Sequence, residues 1–385
     1  MTWNWEQPDW PRFTWKQARM DRAEESFLIG AGALAGAVAH MDEAERADLA
    51  VEALSVEALT TSEIEGEILD RTSVQSSVRR HLGLATDSRR ARPAERGVAE
   101  MMVDLYRTFA EPLSKKRLCS WHAELLAGRT DLRDVGVYRT GGDPMQVVSG
   151  PIHAPRVHFE APPASRVEEE TAQFIEWFNH TGPAGAGRLP ALTRAGVAHL
   201  YFESIHPFED GNGRIGRAIA EKALAQALDR PTLTVLAATI LVRRRSYYDA
   251  LEAANKRNEV TDWHAWFAAT AMEAQGRTKA HVEFLIDKTK LLDRLRGRLS
   301  ERQEKALLRM LREGPEGFRG GMSAGNYATI TGASPATATR DLASLVEMGA
   351  LHRTGQRRHA RYHLAIPLRP VEAVVVASDG TLRSR

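Results

Sequence analysis

The chain has 385 residues, of which 43% are hydrophobic and 26% charged, with a formal net charge of +2. That length suits two or three globular domains with sizeable cores, and the near-neutral balance names no partner by bulk charge. The single Cys119 excludes a disulfide framework within the chain and fits a reducing compartment. No basic segment followed by an apolar run opens the sequence, so no signal peptide is expected. No uncharged apolar run approaches the ~18 residues of a membrane span, so a soluble cytoplasmic protein without membrane contact is expected.

The first segment carries Trp3, Trp5, Trp10 and Trp15 and reads as a hydrophobic cap on a neighbouring core. Helical patterns cover 17–40 and 43–59. The stretch "LTTSEIEGEILDRTSVQSSVRRHLG" (59–83) reads as two short helices around a polar turn near Gly66, and 85–97 as a polar loop. Helices resume at 98–109 and 115–126. Turn formers dominate 136–163, where β-type runs at 146–149 and 156–159 predict a hairpin. Further helices are predicted at 167–179, 191–204, 213–227, 235–240, 245–254 and 260–274, then a long charged helix at 277–299.

A helix at 301–312 precedes two short helices around Thr331–Ser334, with Ser334 as N-cap and Pro335 at the first helical position. Residues 351–363 then hold four Arg, three His and no acid. Helix–turn–helix followed by a basic hairpin is the winged-helix pattern. Thr337, Thr339 and Arg340 would face outward from its second helix, and Arg357, Arg358 and Arg361 would line the wing, available to DNA phosphates or to a docked protein. Arg340 is offset there by Asp341 and Glu347.

The densest chemistry lies in "IHPFEDGNGRIGRA", residues 205–218. Gly211 and Gly213 permit a tight turn into a helix, whose N-terminal N–H groups and dipole suit an anion. Arg214 and Arg217 fall on one face of that helix and match phosphate oxygens. Asp210 makes sense beside phosphates when a hard cation such as Mg²⁺ bridges them. His206 supplies an imidazole for proton transfer, and Phe208 reads as a core anchor. A Walker-type loop is excluded, since its Lys-Ser/Thr pair is missing. His199, seven residues before His206, and His153 lack the cysteine or acid neighbours of a zinc set.

This stretch resembles the signature of the Fic family, His-Pro-Phe-x-Asp-Gly-Asn-Gly-Arg-x-x-Arg, at every specified position. The resemblance implies a mainly α fold, a helical core with a β-hairpin flap, here followed by a C-terminal winged helix–turn–helix domain. It implies a protein adenylyltransferase that moves AMP from ATP, with Mg²⁺, to a Tyr, Ser or Thr hydroxyl of a target protein or of itself. His206 would be the general base and Asp210 the metal ligand. Gly211, Asn212, Gly213 and Arg214 would cradle the α- and β-phosphates, and Arg217 would meet the γ-phosphate.

"TSEIEG" (61–66) resembles the family's inhibitory pattern, Ser/Thr-x-x-x-Glu-Gly/Asn, through Thr61, Glu65 and Gly66. By that resemblance Glu65 pairs with Arg217 and turns it from the γ-phosphate. "GVYR" (136–139) resembles the turn before the flap, which puts Val148, Ser149 and Gly150 near the nucleotide. "YYDALEAAN" (247–255) resembles a helix lining the adenine pocket, with Tyr247, Tyr248 and Asn255 as candidates; either tyrosine singly also suits the core. The expected layout is an N-terminal helical domain with the inhibitory helix at 1–110, the catalytic core at 111–275, a linker helix at 276–300, the winged helix at 301–366 and a tail at 367–385. Homodimerisation, common in the family, is a further expectation. Two other activities fit the same residues: a DNA-binding regulator with a nucleotide-sensing core, and an enzyme that removes AMP from its target.

Overall fold

The computed structural model describes residues 2–85, 91–151, 155–314, 318, 320–367, 369 and 371–384. His153 lies outside them, as does part of the 85–97 loop. The chain divides into two compact units, one of residues 1–35, 42–276 and 372–385, the other of 36–41 and 277–371. The described residues form fourteen α-helices and three two-stranded sheets, a mainly α fold. No helix among them is long and apolar enough to cross a membrane.

In the first unit the helices run α1 (Asp21–Ala39), α2 (Glu43–Ile64), α3 (Arg71–His81), α4 (Pro93–Thr108) and α5 (Lys115–Leu125). Strands β1 (Gln146–Ser149) and β2 (Arg156–Glu160) follow. Then come α6 (Ala164–His180), α7 (Ala191–Ile205), α8 (Asn212–Leu228), α9 (Leu236–Val242), α10 (Arg244–Ala254) and α11 (Thr261–Leu295), whose residues from 277 on belong to the second unit, as do 36–39 of α1. Helix α7 is buried along its whole length, polar side chains included, and α8 packs along it. Arg194 on α7 is buried, and its charge is met by Phe178 O and Gln226 Oε1, both at 2.8 Å.

Two helix starts borrow their caps from distant acids. Pro190 offers α7 no side-chain acceptor, so Glu24 of α1 takes the N–H groups of Leu192 (3.0 Å) and Thr193 (2.7 Å). Glu57 of α2 does the same for Ala237 at the start of α9 (2.9 Å). These contacts, with one hydrophobic core drawn from α1 through α11, join the segments read from sequence as successive domains 1–110 and 111–275 into one body.

Two expectations are corrected, and the tail, left unassigned by the sequence, takes a defined structure. Residues 43–64 form a single helix, because Leu54, Ala58 and Ile64 keep one buried face through Leu59. The helices expected at 260–274 and 277–299 are one 35-residue helix, α11, so no separate linker helix begins at 276. The tail forms a hairpin, β5 (Val374–Val376) and β6 (Leu382–Ser384), whose turn uses Gly380 at φ +79°. Val376 is buried in the first unit's core, and Arg19 Nε donates to Ala377 O (3.0 Å).

The second unit contains α12 (Glu301–Leu311), α13 (Ala324–Thr331), α14 (Pro335–Glu347) and the hairpin β3 (Leu351–Thr354) and β4 (Arg361–Leu364). Ser300, Ser323 and Ser334 cap the three helices. Asp341 does not offset Arg340 on the surface. It is turned inward, where it accepts from Arg302 Nε (3.1 Å) and Tyr327 Oη (3.0 Å).

Candidate active site

A cavity of about 660 Å³ opens between the β1–β2 flap, the α7–α8 turn and α10. His206, Asp210, Gly211, Asn212 and Gly213 line it from the turn, Val148 and Ser149 from the flap, Tyr248 and Asn255 from α10 and its end, and Glu65 from the end of α2. Gly150, at φ +92°, ends β1 and does not line it. Tyr247 lines it as well but is buried, its hydroxyl 2.9 Å from His199 Nε2, so it serves the core. His199 Nε2 is thereby engaged, and the described residues hold no group of three or more metal-ligating side chains.

His206 ends α7 with φ 50°, a left-handed conformation costly for a residue with a Cβ. Arg139 holds it there. Its Nε donates to His206 O (2.8 Å), its N–H to Pro207 O (3.0 Å), and its Nη2 to Pro162 O (2.5 Å). Burial, then the charge of Arg139, pushes the His206 imidazole down to about 4. His206 is therefore neutral at neutral pH, and its Nδ1 has no hydrogen-bond partner among the described residues.

The turn from Phe208 to Arg214 is built by its own side chains. Asn212 Oδ1 accepts from Phe208 N (3.0 Å) and its Nδ2 donates to Phe208 O (2.8 Å). That side chain closes the loop, and Asn212 stands at the cavity wall with its backbone N–H available to a phosphate. Gly211 supplies φ +80° before α8, whose first N–H groups have no intrahelical acceptor. His122 stacks on Phe208 with ring centroids 4.1 Å apart. It accepts from Gly136 N at Nδ1 (2.8 Å) and, with its proton on Nε2, donates to Asp210 O (3.1 Å). Burial pushes it down to about 4, consistent with that neutral form.

Arg217, Arg214 and Asp210 each meet an opposite charge from outside the motif. Arg217, buried, donates through Nε to Thr61 Oγ1 (2.7 Å) and through Nη2 to Thr61 O (2.9 Å) and Glu65 Oε1 (2.7 Å). Burial opposes its charge, but Glu65, Tyr247 and Glu203 together outweigh that and raise its pKa. Gly66 at φ +86° turns the chain away after Glu65. Arg214, also buried, donates through Nη1 to Glu67 Oε2 (2.7 Å). Asp210 Oδ2 accepts from Arg129 Nη1 (2.9 Å). Arg214 Nε and Arg217 Nη1 have no partner among the described residues.

The sequence reading missed Glu67, Arg129, Arg139, His122 and Glu203. Glu67 stood two residues past the inhibitory pattern and Arg139 inside "GVYR"; the others gave no local signal. Glu203, three residues before His206 on α7, is buried with Oε1 unpartnered among the described residues, and burial pushes it up to about 8.

The Fic/DOC family matches residues 112–224, and a family described only as a domain of unknown function (DUF4172) matches residues 3–84. The chain is similar to a solved Fic family protein from Desulfovibrio desulfuricans G20, with 19% identity over 92% of this chain and 98% of that one and a TM-score of 0.50. Two others are Fic-1 from C. elegans (19% identity, 70% of this chain and 74% of that one, TM-score 0.48) and a Fic domain containing signaling protein from Bacteroides thetaiotaomicron VPI-5482 (16%, 67% and 98%, TM-score 0.49). The protein carries a Fic/DOC family domain, the helical core built around the α7–α8 turn.

Proposed function

We propose that the protein is a protein adenylyltransferase that moves AMP from ATP to a hydroxyl side chain of a target protein or of itself, held inactive by the end of α2. The observation that carries this reading is the buried Arg217, bound on three sides by Thr61 and Glu65 directly behind the glycine turn.

In this reading the neutral His206, 16% exposed on the cavity wall, takes the proton of the attacking hydroxyl. The N–H groups at the start of α8 and the Arg214 guanidinium hold the phosphates, so that attack on the α-phosphorus expels pyrophosphate in line. Arg214 Nε and Arg217 Nη1, buried and without partners among the described residues, fit an anionic ligand that reaches into the turn. Asp210, a hard oxygen donor 38% exposed beside that turn, fits Mg²⁺. When bound, the ion neutralises charge developing on the phosphate oxygens. Glu65 keeps Arg217 from the γ-phosphate, and Glu67 occupies Arg214 in the same way. The inhibitory segment thus supplies two acids in place of two phosphates.

Labelled ATP and Mg²⁺ with wild type, Glu65→Gly and His206→Ala test this. Label on protein is expected to rise in Glu65→Gly and to vanish in Glu65→Gly/His206→Ala. No label in any of them, or label that survives loss of His206, would sink the reading. Removal of AMP from a modified target uses the same groups, and wild type incubated with AMP-modified protein reads that direction.

For the second unit we propose a docking role, toward DNA or a protein. With Asp341 turned inward, Thr339 and Arg340 stay exposed on α14 beside the basic β3–β4 hairpin. Salt-dependent binding of a DNA duplex, lost in Arg340→Glu, would select DNA.

A further inference from the structure

The β1–β2 flap is a two-stranded hairpin, an element marginal in water without outside support. Strand β1 is exposed along its whole length. One end is anchored by the N-terminal segment: Trp3 meets Phe159 edge-on with centroids 5.4 Å apart, and Trp5 Nε1 donates to Glu160 O (2.7 Å). Toward Ser149 the apolar anchoring thins among the described residues: Val148 is 50% exposed, and its partner Val157 is only partly buried against the Trp3–Phe159 cluster.

A polar chain stands there instead. Ser149 Oγ lies 2.6 Å from His158 Nε2, and His158 Nδ1 lies 2.7 Å from Glu252 Oε2 on α10. A carboxylate only accepts, so Glu252 fixes the proton on Nδ1 and leaves Nε2 to accept from the Ser149 hydroxyl. Arg156 Nη2 (2.9 Å) and Lys256 Nζ (3.3 Å) hold the other Glu252 oxygen. The strand register explains why His158 reaches both partners. Val147 faces Phe159 and Val148 faces Val157, which leaves His158 unopposed at a bulge. Bulges re-aim a side chain in this way.

The far end of this chain matters because of what shares its helix face. Tyr248, Glu252 and Asn255 recur at spacings of four and three, one face of α10 and its C-cap, and all three line the cavity with Ser149 and His158. The chain therefore ties the flap to the same wall that carries the candidate base contacts.

We infer that Ser149, His158 and Glu252 form a positioning relay that seats the flap on α10 and sets the width of the nucleoside end of the cavity. This rests on the nucleotide-binding reading above. The relay takes no part in proton transfer at the phosphorus; it acts through where it holds Val148 and the Ser149 backbone.

Two measurements on the full-length Glu65→Gly chain test it: amide hydrogen exchange of 146–149 without nucleotide, and affinity for a non-hydrolysable ATP analogue, supplemented by KM and kcat for labelling. His158→Ala is expected to speed exchange in the flap, to weaken analogue binding about tenfold, and to place its loss in KM rather than kcat. Ser149→Ala and Glu252→Gln are expected to act in the same direction and to add little on top of His158→Ala, as members of one chain. Unchanged exchange in His158→Ala would overturn the relay, and faster exchange with unchanged affinity would overturn its positioning role. If the Glu65→Gly chain itself bound no analogue, the nucleotide reading would fail together with the nucleoside half of this inference, while exchange would still decide whether the relay holds the flap.

Discussion

Glu65 and Arg217, 152 positions apart, meet at 2.7 Å beside Gly213, where any side chain would displace the Glu65 carboxylate. A Cβ at Gly213 would lie 2.3 Å from Glu65 Oε1 and 3.2 Å from Arg217 Nη1. The glycine turn that leaves N–H groups open to a ligand also admits the carboxylate that stands in a ligand's place. Two residues on, Glu67 makes the same kind of contact with Arg214.

Removing either acid should strengthen nucleotide binding, and removing both should do more. Glu67 is 38% exposed, which limits its pair with Arg214 to about 1 kcal/mol, roughly fivefold in affinity. Calorimetric titration of Glu67→Gln, Glu65→Gly and the double variant with an ATP analogue checks this. Equal affinity for wild type and Glu67→Gln would show that Glu67 does not compete for Arg214.

The neutral state of His206 has a kinetic signature. An ordinary histidine would lose base activity below pH ~6.5. Its pKa is lowered to about 4, so the neutral form persists well below that. In the Glu65→Gly protein, kcat/KM should be level between pH ~6 and ~7.5, with no acid limb near 6.5. A limb there would mean that the imidazole is solvated in the working enzyme.

Arg129 bridges Asp131 and Asp210 and competes with any cation for Asp210. Arg129→Gln should tighten Mn²⁺ binding several-fold, on the order of 1 kcal/mol for an exposed pair. Electron paramagnetic resonance of free Mn²⁺ during titration measures this without turnover. Asp210→Asn should weaken the same binding, and an unchanged titration in Asp210→Asn would place the ion elsewhere.

Glu203 links stability to pH. Its folded-state pKa is raised to about 8, so its contribution is complete below ~4.5 and is lost as pH rises through about 8. Glu203→Gln should match wild type near pH 5 and melt several degrees higher near pH 9. Thermal unfolding at the two pH values decides; a uniform shift at both would attribute the effect to packing instead.

The glycine turn, the arginine spacing and the helical periods were legible in the sequence because their causes are local. A left-handed Gly211, an anion-binding helix start and two arginines three apart follow from neighbouring residues alone. The sequence breaks the helical pattern at Leu59, ahead of the two short helices of 59–83, because the polar run "TTSE" masks a buried face. Only packing shows that Thr61 and Ser62 lie inside. The tail hairpin escaped notice because three valines become a strand only when Val376 has a core to enter.

The sequence by itself determined a mainly α chain, a phosphate-type turn beside a basic-capable histidine, and an acid-bearing pattern far upstream that could regulate it. The tertiary structure decided which groups those residues meet. It turned Asn212 into a loop brace, assigned Arg139 to hold His206 in its left-handed conformation, and gave Arg214 and Asp210 the partners Glu67 and Arg129. The physical reason is range. Backbone preference and side-chain period act over a few residues, whereas burial and ion pairing depend on contacts that only the folded chain brings within reach.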